Sequence, residues 1–367
     1  MKGPWMTRTA TAIITSMFAA WLAGCHSSVT PTGTPLVFAH DDEMMTTTVD
    51  AGEYRSLADR RVFAVMTFLN AAGYDDEVSG RAMHPVRTRV RQRIAANLAD
   101  HPDKLAAWRN YYDRRRLGAW QYVNWSLCLT ADYPFRRTAA ARNLTYPWTR
   151  WMLDDLPDIL NDFWVTADLT SVWSECLPDY LAEMRRYDPN AVARDVHSLW
   201  RYVRMPRRDD SIIVSIPNLL ERHATANGNR FPPYFYSVDG PGSGGLVHEY
   251  CHTFVNDLVK ANYSAHKKKL KSYFDAGKDA AISASYQDPT YWVAECTVHA
   301  ICHRLTATQI SDAEVRRRID ANADALTRGG YTLLKPLCAG LVDFEADGRP
   351  FDQYLPILFK KLPEYTQ

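Results

Sequence analysis

The stretch Leu246-Val-His-Glu-Tyr-Cys-His-Thr-Phe-Val-Asn256 carries the residues around which the rest of the chain is interpreted. It places His248 and His252 four residues apart, so on a helix both imidazoles project from one face. Two imidazoles at this spacing can bind one Zn²⁺ at roughly 2.0–2.1 Å each. Glu249 lies about 100° further round the helix, where it can reach water at the metal without binding the metal itself. The spacing is that of the H-E-x-x-H motif and predicts a zinc site.

The residues around the motif favour this interpretation over a chance match. Val247, Cys251, Phe254 and Leu258 recur at i, i+4, i+7 and i+11, which predicts an amphipathic helix over the motif. The Gly-rich run Asp239–Gly245 interrupts the chain just before this helix begins.

A catalytic zinc needs a third protein ligand and one open position. The downstream candidates are Glu295, His299 and His303, all on a helix predicted from the N-cap Asp288 to about Leu305. On this helix Glu295 and His299 face the same way, so either could approach the metal.

Zinc peptidases with the H-E-x-x-H motif differ in the identity of their third ligand and in its distance along the sequence from the motif. A metzincin-type third His would stand six residues after His252, where the chain has Leu258 instead. An Asp ligand is excluded at Asp257, which is too close on the same helix. A Glu on a second helix a few dozen residues later is the gluzincin arrangement, and Glu295 fits it. The alternative for Glu295 is an ion-paired helix residue.

Two stretches resemble a bacterial family of exported, predicted zinc metallopeptidases whose shared domain has no assigned function. They are Leu246–Asn256 and Ser285-Tyr-Gln-Asp-Pro-Thr-Tyr-Trp-Val-Ala-Glu295, with weaker similarity over Arg61–Gly73 and Phe351–Pro356. The resemblance implies that Glu295 is the third ligand. The chain departs from the family pattern at His299, where an Arg is expected, which leaves His299 as a reserve ligand or acid.

These residues predict hydrolysis of an amide, most simply a peptide bond. One Zn²⁺ per chain would activate water and polarise the carbonyl, and Glu249 would carry the proton to the leaving amine. His299 and Tyr354 are candidate oxyanion donors. A strand over Tyr234–Val238 is expected to align an extended peptide or protein substrate at the edge of the cleft.

Two alternatives involve the same residues. One is a non-catalytic outer-membrane binding module that keeps zinc for structure, although the presence of Glu249 counts against it. The other is an amidase acting on cell-wall cross-links, which needs the same chemistry on a different substrate.

The composition sets limits on partners. The 367 residues include 43 basic and 42 acidic side chains, a balance that gives no indication of a nucleic-acid partner. With 46% hydrophobic residues, the chain can fill a sizeable core. The sequence does not indicate an oligomeric state.

The N-terminus has the pattern of an export signal. Residues 1–24 combine a basic start with an apolar run that ends in Leu22-Ala-Gly-Cys25, which resembles the lipobox of bacterial lipoproteins. We therefore expect Cys25 to be lipidated and to anchor the chain in the envelope. His26 favours the outer membrane by resemblance to lipoprotein sorting. The alternative is an ordinary signal peptide with an incidental Cys.

Four regions follow from these patterns: 1–24 as signal peptide, 25–48 as tether and lead-in, 49–205 as mostly helical, and 206–367 as a zincin-like core. The last two are expected to be one continuous unit. Helical patterns dominate. β-branched or aromatic runs predict strands around 211–216 and 234–238, and a short strand is expected around Leu36–Phe38. The predicted fold class is therefore α+β, helix-dominated, with a small sheet.

Three further expectations concern individual side chains. The six cysteines after Cys25 permit up to three disulfides in an oxidising compartment, and Cys251 is predicted to be a core or disulfide residue. Ser56 is predicted to open a helix that ends at Gly73. Ser311 is predicted to cap another, in a capping box with Glu314, and that helix is expected to end at Gly329. The charges on a predicted Arg-rich helix are expected to form a solvated face; the residues are Arg87, Arg89, Arg91 and Arg93.

Overall fold

The computed structural model describes residues 37–38, 44–49, 52–74, 83–115, 117–144, 148–207, 212–223, 225–231, 234–241, 245–283 and 286–365. The predicted signal peptide and the predicted lipidation site Cys25 lie outside these residues. Within the described part of the chain, no helix has the length and apolarity that crossing a membrane requires.

Helices account for most of the described chain. The helices are α1 (Arg60–Ala72), α2 (Pro85–Asn97), α3 (Pro102–Arg115), α4 (Ala119–Ser126), α5 (Thr149–Met152), α6 (Leu156–Thr166), α7 (Leu169–Met184), α8 (Pro189–Val203), α9 (Leu246–Ala276), α10 (Lys278–Ser283), α11 (Pro289–Gln309), α12 (Ala313–Arg328), α13 (Leu334–Ala346) and α14 (Phe351–Lys361). The strands are β1 (Val37–Phe38), β2 (Met44–Val49), β3 (Gly52–Leu57), β4 (Ile212–Pro217), β5 (Ala226–Phe231) and β6 (Tyr234–Asp239). The prediction of a helix-dominated α+β fold is confirmed.

The strands form one mixed sheet in the order β1-β2-β3-β4-β6-β5. The β3–β4 and β4–β6 pairs are parallel, and the other pairs are antiparallel. β6 is therefore hydrogen-bonded along both of its sides. The prediction that Tyr234–Val238 aligns a substrate by strand addition is wrong, because β4 and β5 already occupy both edges.

The described chain forms two compact units that alternate along the sequence. The sheet unit comprises Ser28–Ala193 and Asp209–Ser243 and contains the whole sheet. The helical unit includes Arg194–Arg208 and Gly244–Gln367 and contains α9 to α14. The sequence-based division near residue 205 stays a prediction about domains.

Helix α1 is the central element of the sheet unit. Phe63, Phe68 and Leu69 are fully buried in its hydrophobic core. The helix begins after Asp59, not at Ser56, because the Asp59 carboxylate accepts hydrogen bonds from the first amides of the helix whereas Ser56 pairs in β3. It ends at the predicted glycine, Gly73, whose φ of 108° is left-handed.

Helix α2 corrects the expectation of a fully solvated Arg face. Arg87 is completely buried: it donates to the Asn70 Oδ1 at 2.8 Å and to the Tyr74 carbonyl at 3.1 Å. Arg89 is more exposed and pairs with Asp179 at 2.5 Å. The charge pattern could not reveal that Arg87 is buried, because a buried guanidinium needs hydrogen-bond acceptors that only the tertiary structure supplies.

In the helical unit, α12 begins one residue later than its sequence suggests. Asp312 Oδ1 accepts from the amides of Glu314 and Val315, so Asp312 is the N-cap and the predicted cap at Ser311 is wrong. A carboxylate at this position also interacts favourably with the positive end of the helix dipole. The predicted end at Gly329 is confirmed.

The described cysteines form no disulfide. All six are free thiols. Of the two roles predicted for Cys251, a core residue or a disulfide partner, the structure shows the first, because its side chain is fully buried. Burial raises the pKa of Cys176 to about 11 and of Cys128 to about 12, so both thiols stay protonated at neutral pH.

Candidate metal centre

The H-E-x-x-H residues lie in the first two turns of α9. The Glu249 amide donates to the carbonyl of Gly245 at 2.9 Å, which closes the first helical turn. Tyr250, Cys251 and Phe254 are fully buried and form the core face of this segment. This face differs from the predicted stripe. Val247 is only half-buried, and Tyr250 lies in the core instead, edge-on to Trp200 with 6.0 Å between the ring centroids.

Helix α11 brings the third candidate ligand. Asp288 caps it as predicted, accepting from the Thr290 amide at 2.7 Å, and Pro289 occupies the first turn. Trp292, which is 1% exposed, packs edge-on against Phe274 of α9. This packing fixes one end of α11 against α9.

Three side chains of the two helices converge. His248 Nε2 lies 3.3 Å from Glu295 Oε1, and His252 Nε2 lies 3.2 Å from Glu295 Oε2. The two imidazole Nε2 atoms are 3.3 Å apart. Among the described residues, these three form the group of His, Cys, Asp and Glu side chains whose ligand atoms could hold one metal ion.

These distances are compatible with one metal ion shared by the three residues. Two tetrahedral ligand atoms at 2.0–2.1 Å from zinc lie about 3.3–3.4 Å apart, close to the separation of the two Nε2 atoms, and Glu295 faces one imidazole with each of its oxygens. A charge-assisted N–H···O bond would be shorter, roughly 2.7–2.9 Å. Two Nε2 atoms facing each other at 3.3 Å also need a cation or a proton between them. His248, His252 and Glu295 therefore have the donor atoms and the spacing for zinc.

A second residue of α9 sets the tautomer of one ligand. His252 Nδ1 lies 3.0 Å from Asn256 Oδ1. An amide oxygen can only accept, so Nδ1 carries a proton, and a metal ion at the cluster would take the Nε2 lone pair. Such outer contacts hold the ring in its binding orientation.

Three more side chains surround Glu295. His299 Nε2 lies 3.1 Å from Glu295 Oε1, and its ring centroid is 4.7 Å from that of His248. Burial raises the pKa of Tyr286 well above its ordinary value, and the nearby Glu295 carboxylate adds to the rise. Tyr331 packs edge-on against His299, with 5.2 Å between the ring centroids. The structure therefore places His299 against the third candidate ligand, Glu295.

The charges of the cluster balance one another. Burial alone lowers the pKa of His248, but Glu295 outweighs it and raises that pKa well above its ordinary value. Burial also lowers the pKa of His252, but hydrogen bonding to Glu295 outweighs burial, so the pKa of His252 is raised overall. The three His side chains hold the pKa of Glu295 well below its ordinary value despite its burial. The site therefore favours positive charge, as a metal site must.

Glu249 and His299 differ in charge environment from the ligands. Glu249 is half-buried, and its carboxylate adds to the rise in the pKa of His248 and His252, so it lies within electrostatic range of both. Burial lowers the pKa of His299, which keeps its imidazole neutral at neutral pH. A neutral His299 can donate one hydrogen bond from Nε2 to Glu295.

Two predicted candidates lie elsewhere in the helical unit. Tyr354 is 1% exposed, and its hydroxyl donates to the Gly340 carbonyl at 3.4 Å. The structure does not bring it to the cluster, because the apolar face of α14 packs on α13 and buries it there. His303 Nε2 contacts the Ile319 carbonyl at 3.2 Å. Neither residue is suited to act at the candidate site.

Sequence reasoning missed three residues of the site. Asn256 is the last residue of the quoted motif stretch, and its i+4 spacing from His252 was a usable signal. Tyr286 lies in the second quoted stretch but had no assigned role. Tyr331 had no signal, since its place depends on the packing after α12.

No protein-family model matches the chain, and searches of curated proteins and of solved structures likewise found no match.

Proposed function

We propose that this chain is a zinc-dependent hydrolase of amide bonds, acting as a metallopeptidase with a zincin-like core of the gluzincin type. The observation that supports it most is the convergence of His248, His252 and Glu295 from two helices into a cluster that could hold one metal ion, with Glu249 next to His248. The proposal includes one zinc per chain. From the sequence alone, it also includes an envelope location through a lipid at Cys25.

In this proposal each residue has a distinct task. Zinc held by His248, His252 and Glu295 would supply a Lewis acid that polarises the scissile carbonyl and activates water. The Glu249 carboxylate would accept a proton from the attacking water and pass it to the leaving amine. Asn256 accepts a hydrogen bond from Nδ1 of His252, so Nε2 would be the nitrogen that binds the metal.

His299 has a positioning task rather than a ligand task. Its Nε2–H donates to Glu295 at 3.1 Å, which leaves the carboxylate oriented between the two imidazoles. Tyr331 packs edge-on against the His299 ring and supports its position.

The test combines metal content with turnover. Protein from residue 26 onward, purified without added chelator, is expected to contain one zinc per chain by elemental analysis. The zinc-loaded protein is then screened against a fluorogenic peptide library and against cross-linked cell-wall fragments. Cleavage of peptides supports the proposal, and cleavage of wall fragments alone identifies the amidase instead.

Glu249→Gln is the variant that separates catalysis from metal binding. It is expected to retain zinc and lose about a hundredfold or more in turnover, because it removes the base and no ligand. Asp257→Asn, on the same helix but outside the cluster, is the matched control. Wild-type turnover by Glu249→Gln, or zinc-loaded protein that cleaves neither substrate class, contradicts the proposal and favours a binding module.

A further inference from the structure

A cavity of about 190 Å³ lies in the sheet unit, lined by residues of α1, α2 and α3. An engineered apolar cavity of about 150 Å³ is large enough for benzene, so this one can admit a ring-sized molecule. The proposed hydrolase gives this cavity no role, because the candidate metal ligands all belong to the helical unit.

Most of the lining is apolar. It consists of Leu98, which directly follows α2, and five side chains of the three helices: Ala71, Val90, Ile94, Ala95 and Leu105. Val90, Ile94 and Leu98 are buried, whereas Ala95 is exposed. The apolar part thus extends from the core of the unit to its surface.

Two cationic side chains join the lining. Arg91 of α2 is half-buried, and Arg109 of α3 is exposed, so the guanidinium groups belong to the outer part of the cavity. No acidic side chain is among the described residues that line it. Two planar guanidinium groups bind a carboxylate well, through paired N–H donors.

The inner part of the cavity contains one polar group without a partner. Thr67 is 1% exposed, and its Oγ1 has no hydrogen-bond partner among the described residues. The neighbouring Asn70 is fully engaged, since its amide donates to the Met66 and Leu220 carbonyls and accepts from Arg87. A buried hydroxyl without a partner costs free energy that a bound polar atom would offset.

We propose that this cavity binds a small monocarboxylate with a ring-sized apolar body and a hydroxyl at its far end. The carboxylate pairs with Arg91 and Arg109, the body lies against Ile94 and Ala95, and the far hydroxyl hydrogen-bonds with Thr67. This assigns to the sheet unit a binding site for a hydroxyaryl acid or a ligand of the same chemistry.

The test uses 4-hydroxybenzoate, with benzoate and 4-hydroxybenzamide as matched probes, in calorimetric titrations of the full chain from residue 26. We expect saturable binding of 4-hydroxybenzoate and about tenfold weaker binding of each analogue, because each lacks one polar contact. Inorganic phosphate, which has no apolar body, is expected not to compete. Competition by phosphate, equal binding of the three probes, or no saturable binding overturns the proposal.

Variants assign the contacts. Arg109→Gln should abolish the preference for 4-hydroxybenzoate over 4-hydroxybenzamide. Thr67→Val should abolish the preference for 4-hydroxybenzoate over benzoate. Ala95→Phe should block binding by filling the cavity. Arg114→Gln and Ala96→Phe, at exposed positions outside the lining, are the controls and should bind like the unmodified chain. Because Arg109 and Ala95 are exposed, their variants keep the core intact; unchanged binding in both contradicts the proposed site.

Discussion

At the scale of single residues, the sequence predicted the candidate ligands because their spacing is a local property. His248 and His252 share a face on any helix. The need for a third ligand left three candidates on one helix, and the resemblance selected Glu295 among them. The carboxylate oxygens come within 3.2–3.3 Å of both Nε2 atoms. Tyr354 was a wrong candidate, because its position depends on how α14 packs, which spacing cannot reveal.

Glu295→Ala and His299→Ala should have opposite effects on metal content. Glu295→Ala removes a ligand, so we expect a loss of zinc affinity of at least a hundredfold in competition with a chromophoric chelator. His299→Ala removes only a hydrogen bond to Glu295, so zinc should remain bound at one per chain. If His299→Ala loses zinc and Glu295→Ala keeps it, His299 is the third ligand.

Asn256→Leu should weaken zinc binding by about ten- to a hundredfold, because the Nδ1 proton of His252 loses its acceptor. Asn256→Asp retains an acceptor and should restore the affinity. The absorption bands of a Co²⁺-substituted protein provide a second readout, since they report ligand geometry. Asn262→Ala, which removes a side-chain bond to the Leu258 carbonyl of the same helix, is the control. Equal affinity in the leucine and aspartate variants would show that Asn256 does not orient the ring.

At the scale of elements, the sequence predicted helices well and strands poorly. β4 and β6 have the β-branched or aromatic residues that indicate strands, and both were expected. β5 reads Ala226-Asn-Gly-Asn-Arg-Phe231, whose Asn and Gly residues suggest a turn; it becomes a strand because β6 supplies its hydrogen bonds. Pairing partners distant in sequence decide such strands.

Asp59→Ala should destabilise the sheet unit strongly. Asp59 caps α1 and also pairs with the buried Arg61 at 2.6 Å. Arg61 in turn donates to the carbonyls of Leu127 and Leu129. Loss of the carboxylate leaves a buried charge without its counter-ion, which costs about 3–5 kcal/mol. Urea unfolding followed by circular dichroism measures this cost.

The control for that experiment is a second N-cap without a buried partner. Asp312→Ala removes the cap of α12. The Asp312 carboxylate is exposed, and only the first backbone amides of the helix lose their acceptor. Its unfolding midpoint should fall much less than that of Asp59→Ala. Equal shifts in the two variants would show that the Asp59–Arg61 pair adds nothing beyond capping.

His84 should make the stability of α2 depend on pH. Its Nδ1 accepts from the Val86 amide at 3.3 Å, and burial lowers the pKa of His84, although Glu183 and Asp179 oppose the shift. A lowered pKa means that the folded state binds fewer protons than the unfolded state. The contribution is therefore fully present above the ordinary His pKa and is lost as the pH falls through the folded pKa.

The measurement compares the unmodified chain with His84→Asn, in which the cap does not titrate. The difference between their urea midpoints should change between pH 7.5 and pH 5, with the unmodified chain losing stability towards acid. Taking the difference cancels the titration of the other carboxylates and imidazoles. A constant difference across this range would contradict the prediction.

At the scale of the whole molecule, the two units should respond differently to metal removal. The proposed zinc would bind residues of α9 and α11 only, so its binding should stabilise the helical unit by mass action. Free zinc at a thousand times its dissociation constant raises the free energy of unfolding by about 4 kcal/mol. Hydrogen exchange with and without chelator should therefore differ over α9 and α11. Equal changes throughout the sheet unit, or none in α9, would contradict this.

The alternation of the two units along the chain has a consequence during synthesis on the ribosome. Arg194–Arg208 of the helical unit are synthesised before the last segment of the sheet unit, which contains β5 and β6. The sheet unit is therefore complete only when residues up to Ser243 have emerged from the ribosome. Those fifteen or so residues must wait for Gly244–Gln367 before they can pack. Vectorial synthesis therefore completes the sheet unit first and leaves the end of α8, with Trp200 still lacking Tyr250 and Phe254, exposed to chaperones in the interval.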